Sequence, residues 1–551
     1  MKSEHVKNAA ISTLVGATLV IGVITLAPGW GEEGGRREPG AAERALAAAG
    51  AGAPAALVDL TALIADREQW VKAHPRDGQS WAVLGSAYVE RGTRLADPAY
   101  YPKAEGALRH SLDVLPGEKG NVNALLGLAA LANARHDFVR ARDLGESAAK
   151  QQPKHWTAYP VLIDAYSGLG DYKSAGTAMD RLTSLHPGAQ TLGRAAEVYR
   201  DRGWREDAAA LAYDAVGSAG TPEEKATARH RLGDLAWERG EPAEALVEYD
   251  KALKLAPDHH PSLASRARTL AALGRTNEAF RDYESALGLA DLPEYALEAG
   301  ELYQSLGLDG DAATQYAQLR ERAARAGRDG VDEAFVLGLF EADHGDPEAA
   351  VRRLQDEWDR GHRNVHTADA LGWAMFRAGR PNEALPFAKR ATEQGLRSPL
   401  FTFHRGEIER VLKLAGPARR HLAEALQINP YFSPLLARVA RDTLTALGDL
   451  PPGGPKKVTG LERDGSQKAA EGESSASPSA ERPSPSSSAQ KPSPPSSSSP
   501  FSTFSPFSPS ESASPSSPSS SAPSASSGLA REGRFSGTPN LPSPSSGTGR
   551  T

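Results

Sequence analysis

Residues 232–257, LGDLAWERGEPAEALVEYDKALKLAP, hold two short apolar patterns on either side of a polar break. Leu232 and Ala236 are four positions apart, so they share one face of a helix. Ala245 and Tyr249 repeat that spacing and define the face of a second helix. Gly240 lies in the break between them, where a turn is expected. The stretch therefore predicts two antiparallel helices joined by a tight turn.

The same pattern returns along the chain with a fixed period. Residues 266–291, RARTLAALGRTNEAFRDYESALGLAD, match the first stretch at an offset of 34 positions, and residues 371–395 repeat it again. At this offset Tyr283 takes the place of Tyr249. Self-similarity with a period of about 20–50 residues is the signature of a solenoid, in which each unit packs on its neighbours. The middle of the chain therefore predicts one repeat array instead of several globular domains.

One position of the repeat is almost always small. The residues at this eighth position are Gly85, Gly127, Ala196, Gly233, Ala267, Gly300, Gly338, Gly372 and Gly406, and only the third copy has a bulky residue there, Ile163. A glycine inside a helix costs roughly 0.5–1 kcal/mol relative to alanine, so a compensating contact is expected. We predict that the two helices of a unit approach closely here, with the small residue of the second helix, such as Ala245, against the glycine.

These features resemble the tetratricopeptide repeat: a 34-residue period, paired small residues, an aromatic residue four positions after the alanine, and prolines near the end of a unit. About ten copies cover residues 78–430. They begin near Gly78, Gly120, Trp156, Ala189, Ala226, His260, Pro293, Val331, Val365 and Pro399. The first copy carries an insertion of seven residues around Arg94 to Tyr101. The resemblance implies an all-α fold, an α-solenoid of helix-turn-helix repeats wound into a right-handed superhelix, with no catalytic residues.

Composition divides the rest of the chain. The predicted segments are a tip at 1–8, a transmembrane helix at 9–27, a linker at 28–54, a partial repeat at 55–77, the solenoid at 78–430, a capping helix at 431–450 and a disordered tail at 451–551. The apolar run AAISTLVGATLVIGVITLA measures about 28 Å as a helix, close to the thickness of a bilayer. A cleaved secretory signal and a buried helix are the alternatives.

The tail is dominated by two residue types. Serine makes up 27 and proline 12 of the 54 residues at 474–527. Such a segment has few residues to fill a core, and its prolines interrupt helices and strands, so it is expected to be disordered. It fits a solvated spacer, and a glycosylated or phosphorylated segment is the alternative.

The resemblance also implies which side chains face the concave wall of the superhelix. The predicted partner-binding residues are Asp164, Glu197, Asp234, Trp237, Glu301, Phe335, Leu339, Trp373, Phe376 and Phe403. Further inward positions include His230, Arg268 and Glu294. The middle of this wall is acidic on balance, and its last part is rich in aromatic residues, which favour binding when they are exposed. The alternative is that these rings belong to the core and that the acidic residues form a solvated surface.

The chain has no cysteine and a formal net charge of −6. It therefore forms no disulfide or thiolate metal site, and it lacks the basic field that nucleic acids require. No metal-ligand motif or glycine-rich phosphate loop stands out, so we expect a protein without enzymatic activity, cofactor or metal.

These observations together predict a bacterial, membrane-tethered interaction scaffold. It would bind a protein or peptide, basic with an apolar anchor, in the concave groove. An assembly or maturation factor for an envelope enzyme or transporter is the first alternative, and the substrate-recognition part of a glycosyltransferase system is the second. The expected location is the cell membrane, crossed once, with the folded part on the extracytoplasmic side.

Overall fold

The computed structural model describes residues 38–448, and this part of the chain is helical without a strand. The first helices are α1 Ala41–Gly50, α2 Leu57–Ala73, α3 Gly78–Arg94, α4 Tyr101–Val114, α5 Val122–Ala134, α6 Phe138–Gln151, α7 Ala158–Leu169, α8 Tyr172–Leu185, α9 Ala189–Asp201, α10 Arg205–Ser218, α11 Pro222–Glu238 and α12 Pro242–Leu255. The later helices are α13 His260–Ala272, α14 Thr276–Leu289, α15 Pro293–Ser305, α16 Asp309–Arg328, α17 Ala334–His344, α18 Pro347–Asp359, α19 Val365–Arg377, α20 Pro381–Thr392, α21 Pro399–Val411, α22 Ala415–Ile428 and α23 Leu436–Ala446. Short 3₁₀ helices lie at Pro98–Tyr100 and Gly117–Lys119.

Helices α3 to α22 form ten consecutive antiparallel pairs, which confirms the all-α prediction. In these pairs, each odd-numbered helix packs on its partner and also on the first helix of the next pair. The second helices make no comparable contact with one another. The first helices therefore form the crowded inner layer of a curved array, and the second helices form its outer layer.

Glycine at the eighth position allows this close packing. A Cβ atom on Gly233 would lie 2.4 Å from the Tyr249 ring, and one on Gly300 would lie 2.4 Å from the Tyr316 ring. At Gly338 the Leu354 side chain fills the same space, 2.6 Å from the Cβ position. The close approach is thus as predicted, but its partner is the large residue four positions after the alanine. At Gly233 the nearest atoms belong to Tyr249 and not to Ala245, because the ring extends back along its own helix and covers the glycine.

Two features at the first end of the array depart from the repeat pattern, namely helix α1 and the insertion in the first copy. Helix α1 lies in the segment that was assigned to a linker, although its alanine-rich sequence has high helix propensity. Ala45 and Ala49 of this helix are fully buried. The insertion in the first copy folds into the 3₁₀ helix Pro98–Tyr100, and Asp97 caps that turn through the backbone N–H of Ala99, at 3.1 Å.

The array winds back on itself, so that pairs almost six repeats apart touch. Asn364 donates a hydrogen bond of 2.8 Å to the carbonyl of Gly168, 196 residues away. One repeat further on, Arg205 donates to the carbonyl of Arg397 at 2.7 Å, 192 residues away. In each case the turn within an early pair contacts the junction between two later pairs. The described part of the chain is therefore a superhelix whose first and second turns are in contact.

We call this line of contacts between the two turns the seam. Two further contacts, one upstream and one downstream, extend it with nearly the same separation along the chain. Upstream, His136 Nδ1 lies 2.8 Å from the carbonyl oxygen of Asp332. Downstream, Asn429 donates to the carbonyl of Trp237 at 2.7 Å. Four successive pairs, the second to the fifth, thus contact the second turn one repeat after another, and the contacts seal one edge of the groove.

No helix in the described range 38–448 combines the length and apolar character that crossing a membrane requires. The predicted transmembrane helix at 9–27 and the predicted disordered tail at 451–551 lie outside the described residues.

Candidate functional site

The inner layer of the superhelix encloses two adjoining cavities. The first has a volume of about 200 Å³ and lies between the link from α1 to α2 and the helices α9, α11 and α13. The second has a volume of about 410 Å³ and lies between the insertion of the first pair and the helices α11, α13 and α15. His230, Asp234 and His260 line both. The concave wall therefore lines two partly enclosed cavities.

Most of the acidic residues predicted for the middle of the wall already have an arginine or histidine partner in the chain. Asp164 pairs with Arg194, and Glu197 accepts a hydrogen bond of 2.7 Å from Arg231. Glu301 lies 3.3 Å from His344. These partners come from the next inner helix along the array, so the pairs join neighbouring repeats. A basic ligand would have to compete with them.

Asp234 is the centre of a polar network in the lining of both cavities. Its carboxylate lies 3.1 Å from His230 Nε2 and accepts a hydrogen bond of 2.7 Å from the Tyr249 hydroxyl. Arg268 lies 4.0 Å from the same carboxylate and above the Trp237 ring, 5.1 Å from its centroid. Burial acts to raise the pKa of Asp234, but His230 and Arg268 outweigh it, so the pKa is lowered. Asp234 is accordingly ionised and satisfied within the protein.

Three of the predicted aromatic contacts are not exposed. Trp237 is 7% exposed, Trp373 4% and Phe403 1%. The Trp373 ring stacks on His404 with centroids 4.0 Å apart, and its Nε1 donates to the Asp343 carboxylate at 3.0 Å. The expectation of exposed rings is wrong for these residues, because inner helices lie close enough for each ring to reach the next helix.

A smaller apolar surface remains on the inner side of the last three pairs. Phe335 and Leu339 are half-buried one turn apart on α17, and Phe376 is half-buried on α19. Phe376 stacks on Trp373 with centroids 5.0 Å apart. Arg377, beside it, pairs with Asp343. We call Phe335, Leu339 and Phe376 the apolar row; their predicted contact with a partner remains a prediction.

Two acidic residues of the second cavity differ from the paired ones. Glu294 begins α15, and Oε2 of its carboxyl has no hydrogen-bond partner. Glu333 immediately precedes α17, is 9% exposed, and its carboxyl has no hydrogen bond or ion pair within the described residues. Glu294 is among the predicted inward positions, but Glu333 is not, because it precedes the first helix of the eighth copy. The insertion of the first copy, which lines the same cavity, was the signal available in the sequence.

Between residues 38 and 448 no group of three acidic or histidine side chains is placed to hold a metal ion. His362, for example, is engaged with Glu357, whose Oε2 lies 2.5 Å from His362 Nδ1.

Comparison with known proteins identifies the repeat. Residues 226–259 match the family model of the tetratricopeptide repeat. The chain therefore contains a tetratricopeptide repeat, and the resemblance drawn from the sequence is confirmed. No curated protein matches the chain.

Several solved structures resemble the chain as helical-repeat proteins. A tetratricopeptide repeat protein from Parabacteroides merdae has 18% identity and a TM-score of 0.30, over 47% of this chain and 99% of its own. A thermophilic repeat protein from Thermus thermophilus has 25% identity and a TM-score of 0.29, over 34% of this chain and 98% of its own. The human IFIT1 dimer with m7Gppp-AAAA has 14% identity and a TM-score of 0.39, over 61% of this chain and 78% of its own. At these TM-scores the likenesses carry no functional information.

Proposed function

We propose that the chain is an interaction scaffold that binds a partner protein on the inner side of its last three helix pairs. One observation carries the proposal: the apolar row, Phe335, Leu339 and Phe376, is half-buried on adjacent inner helices. Aromatic side chains in such a setting contribute binding energy with little loss of conformational entropy. Helical repeat arrays use their extended inner surfaces for binding in general.

The charges beside the apolar row favour a polypeptide as the ligand. Arg377 pairs with Asp343, and Arg410 donates to Glu407 at 2.8 Å. Such partly exposed pairs can exchange partners with the backbone and side chains of a peptide at small energetic cost. Among the residues that line the two cavities, carboxylates outnumber arginines, which disfavours a phosphate-rich ligand. The predicted basic character of the ligand, with an apolar anchor, remains a prediction.

Site-specific photocrosslinking tests this proposal. A benzoylphenylalanine residue placed at Phe335 or Phe376 of the full chain, in its own cells, should trap a discrete partner polypeptide. Tyr213 is the matched control, because it is an aromatic residue that is 52% exposed on the outer helix α10. Adducts of equal yield at Tyr213, or no adduct at either inner position, would contradict the proposal.

We further propose that residues 9–27 tether this scaffold to a membrane, with the folded part on the extracytoplasmic side. The support is the uninterrupted apolar run of 19 residues behind a charged tip. Fractionation of cells with and without residues 1–37 tests it. The full chain should remain with the membranes after alkaline washing, and release of the full chain by that wash would contradict the tether.

A further inference from the structure

The second cavity has a wall that no repeat of the array supplies alone. Glu294 comes from the start of α15, and Glu333 from the junction before α17. The facing wall is the insertion of the first pair, with Ala96, Pro98 and Tyr101. Ala96 holds a left-handed backbone conformation with φ of 46°, which costs energy for a residue other than glycine. The insertion is thus held in an unfavourable conformation where it faces the two carboxyl groups.

Charge is unevenly distributed around this cavity. Six carboxylates and one arginine, Arg268, are among its lining residues. Four of the carboxylates have partners: Asp234 has His230 and Arg268, Glu238 has Arg200, Asp291 has Arg322 and Arg325, and Glu298 has Tyr283 and Arg268. Glu333, and the Oε2 atom of Glu294, have none in the described part of the chain. His136, which also lines the cavity, directs its Nδ1 to the Asp332 carbonyl.

Unpaired carboxyl groups in this position are costly. A buried charge without a partner loses its hydration and gains nothing in return. Burial raises the pKa of Glu294, and burial together with the charge of Glu294 raises the pKa of Glu333 to about 8. The Glu333 carboxyl therefore holds a proton near neutral pH, and a bound cation could replace that proton.

The other lining residues decide what kind of cation fits. Tyr101, Tyr295 and Trp237 contribute aromatic surface, and Leu292 and Val331 contribute aliphatic surface. Such walls suit the alkyl part and the positive charge of an organic amine better than a bare metal ion. The volume of about 410 Å³ falls within the usual range of small-molecule sites.

We propose that this cavity binds a small organic ammonium ion, with the carboxylates of Glu294 and Glu333 as its counter-charges and the insertion of the first pair as its opposite wall. This site is separate from the apolar row. Failure of either proposal therefore leaves the other intact.

Calorimetric titration of the full chain with putrescine and with spermidine tests the proposal, at constant ionic strength. Binding of at least one amine with one-to-one stoichiometry is expected. Because the site exchanges a proton for the amine, the heat of binding near neutral pH should change with the ionisation enthalpy of the buffer. Absence of binding for both amines would overturn the proposal.

Three isosteric variants locate the site. Glu294→Gln and Glu333→Gln should each weaken the binding tenfold or more, since each removes a charge-assisted contact. Glu206→Gln is the control, because Glu206 is exposed on the outer helix α10, and it should bind as the wild type does. Both cavity variants remove mutual repulsion, so neither should lose its fold, and circular dichroism checks this. Equal affinity of all three variants would assign the binding to surface charge and overturn the proposal.

Discussion

The absence of a Cβ atom at Gly233 allows the two helices of its pair to pack closely. Its Cα lies so close to the second helix that the Tyr249 ring occupies the space of a Cβ atom, and the hydroxyl of that ring reaches Asp234 at 2.7 Å. The glycine therefore serves both the packing within the pair and the polar network of the interior. The sequence could reveal the need for a small residue, because glycine is costly in a helix. It could not reveal that the ring would be the partner.

A matched pair of glycine substitutions tests this packing. Gly233→Ala should lower the free energy of unfolding by about 1–3 kcal/mol, because the added methyl group overlaps Tyr249. Gly106→Ala should raise it by up to about 1 kcal/mol, since Gly106 is exposed within α4 and a Cβ atom there meets nothing within 4 Å. Chemical denaturation measures both. Equal effects of the two substitutions would refute the account of the eighth position.

Glu333 links stability to pH with a definite sign. Its pKa is raised to about 8 from an ordinary value of 4.5, so the folded chain retains a proton that the unfolded chain releases. This contribution to stability is fully present below about pH 4.5 and is lost as the pH rises through about 8. The unfolding free energy of Glu333→Gln should therefore fall less than that of the wild type between about pH 6 and 9. Parallel pH profiles would contradict this account of Glu333.

At the scale of the helix, α19 connects its neighbours through Trp373. The indole donates to Asp343 of α17 and stacks on His404 of α21, so one side chain joins three inner helices. His404 in turn lies 2.9 Å from Asp369 of α19. These contacts explain why a residue at a predicted binding position is buried. Phe376 lies on the same helix but keeps part of its ring exposed, so the two residues have different roles.

Alanine substitutions in α19 should separate these roles. Trp373→Ala should destabilise the fold by about 3–5 kcal/mol, as is typical for a buried tryptophan. Phe376→Ala should cost much less stability but should reduce partner crosslinking from a probe at Phe335. Thermal unfolding and the crosslinking assay measure the two effects. A stable Trp373→Ala variant would show that the ring is not part of the core.

The sequence predicts the helix pairs well, but it predicts helix α1 and the structure of the insertion poorly. Periodic small residues at the eighth position and alanines in the second helix mark most pairs, because the contacts within a pair are local and recur along the array. The sequence of α1 does not carry the repeat pattern. The position of this helix depends on Ala45 and Ala49, which are buried against other helices. The 3₁₀ helix at Pro98–Tyr100 was visible only as an insertion.

In the whole molecule, the contact between the two turns of the superhelix determines how far the inner surface is enclosed. It depends on residues such as Asn364 and Asn429, which donate to the carbonyls of Gly168 and Trp237 almost six repeats away. These residues lie in loops and follow no helical period, so nothing in the sequence indicates that they meet. This is why the sequence predicts a concave groove but not the contact between its turns.

The enclosure of the inner surface depends on contact between the two turns of the superhelix, and a distance measured across that contact tests whether it persists in solution. The chain has no cysteine, so spin labels can be placed at Glu206→Cys and Arg397→Cys, two exposed positions beside the bond from Arg205 to the Arg397 carbonyl. Double electron–electron resonance on the full chain should give a single short and narrow distance distribution. A broad distribution, or one centred at long distances, would contradict the closed superhelix and the enclosed cavities with it.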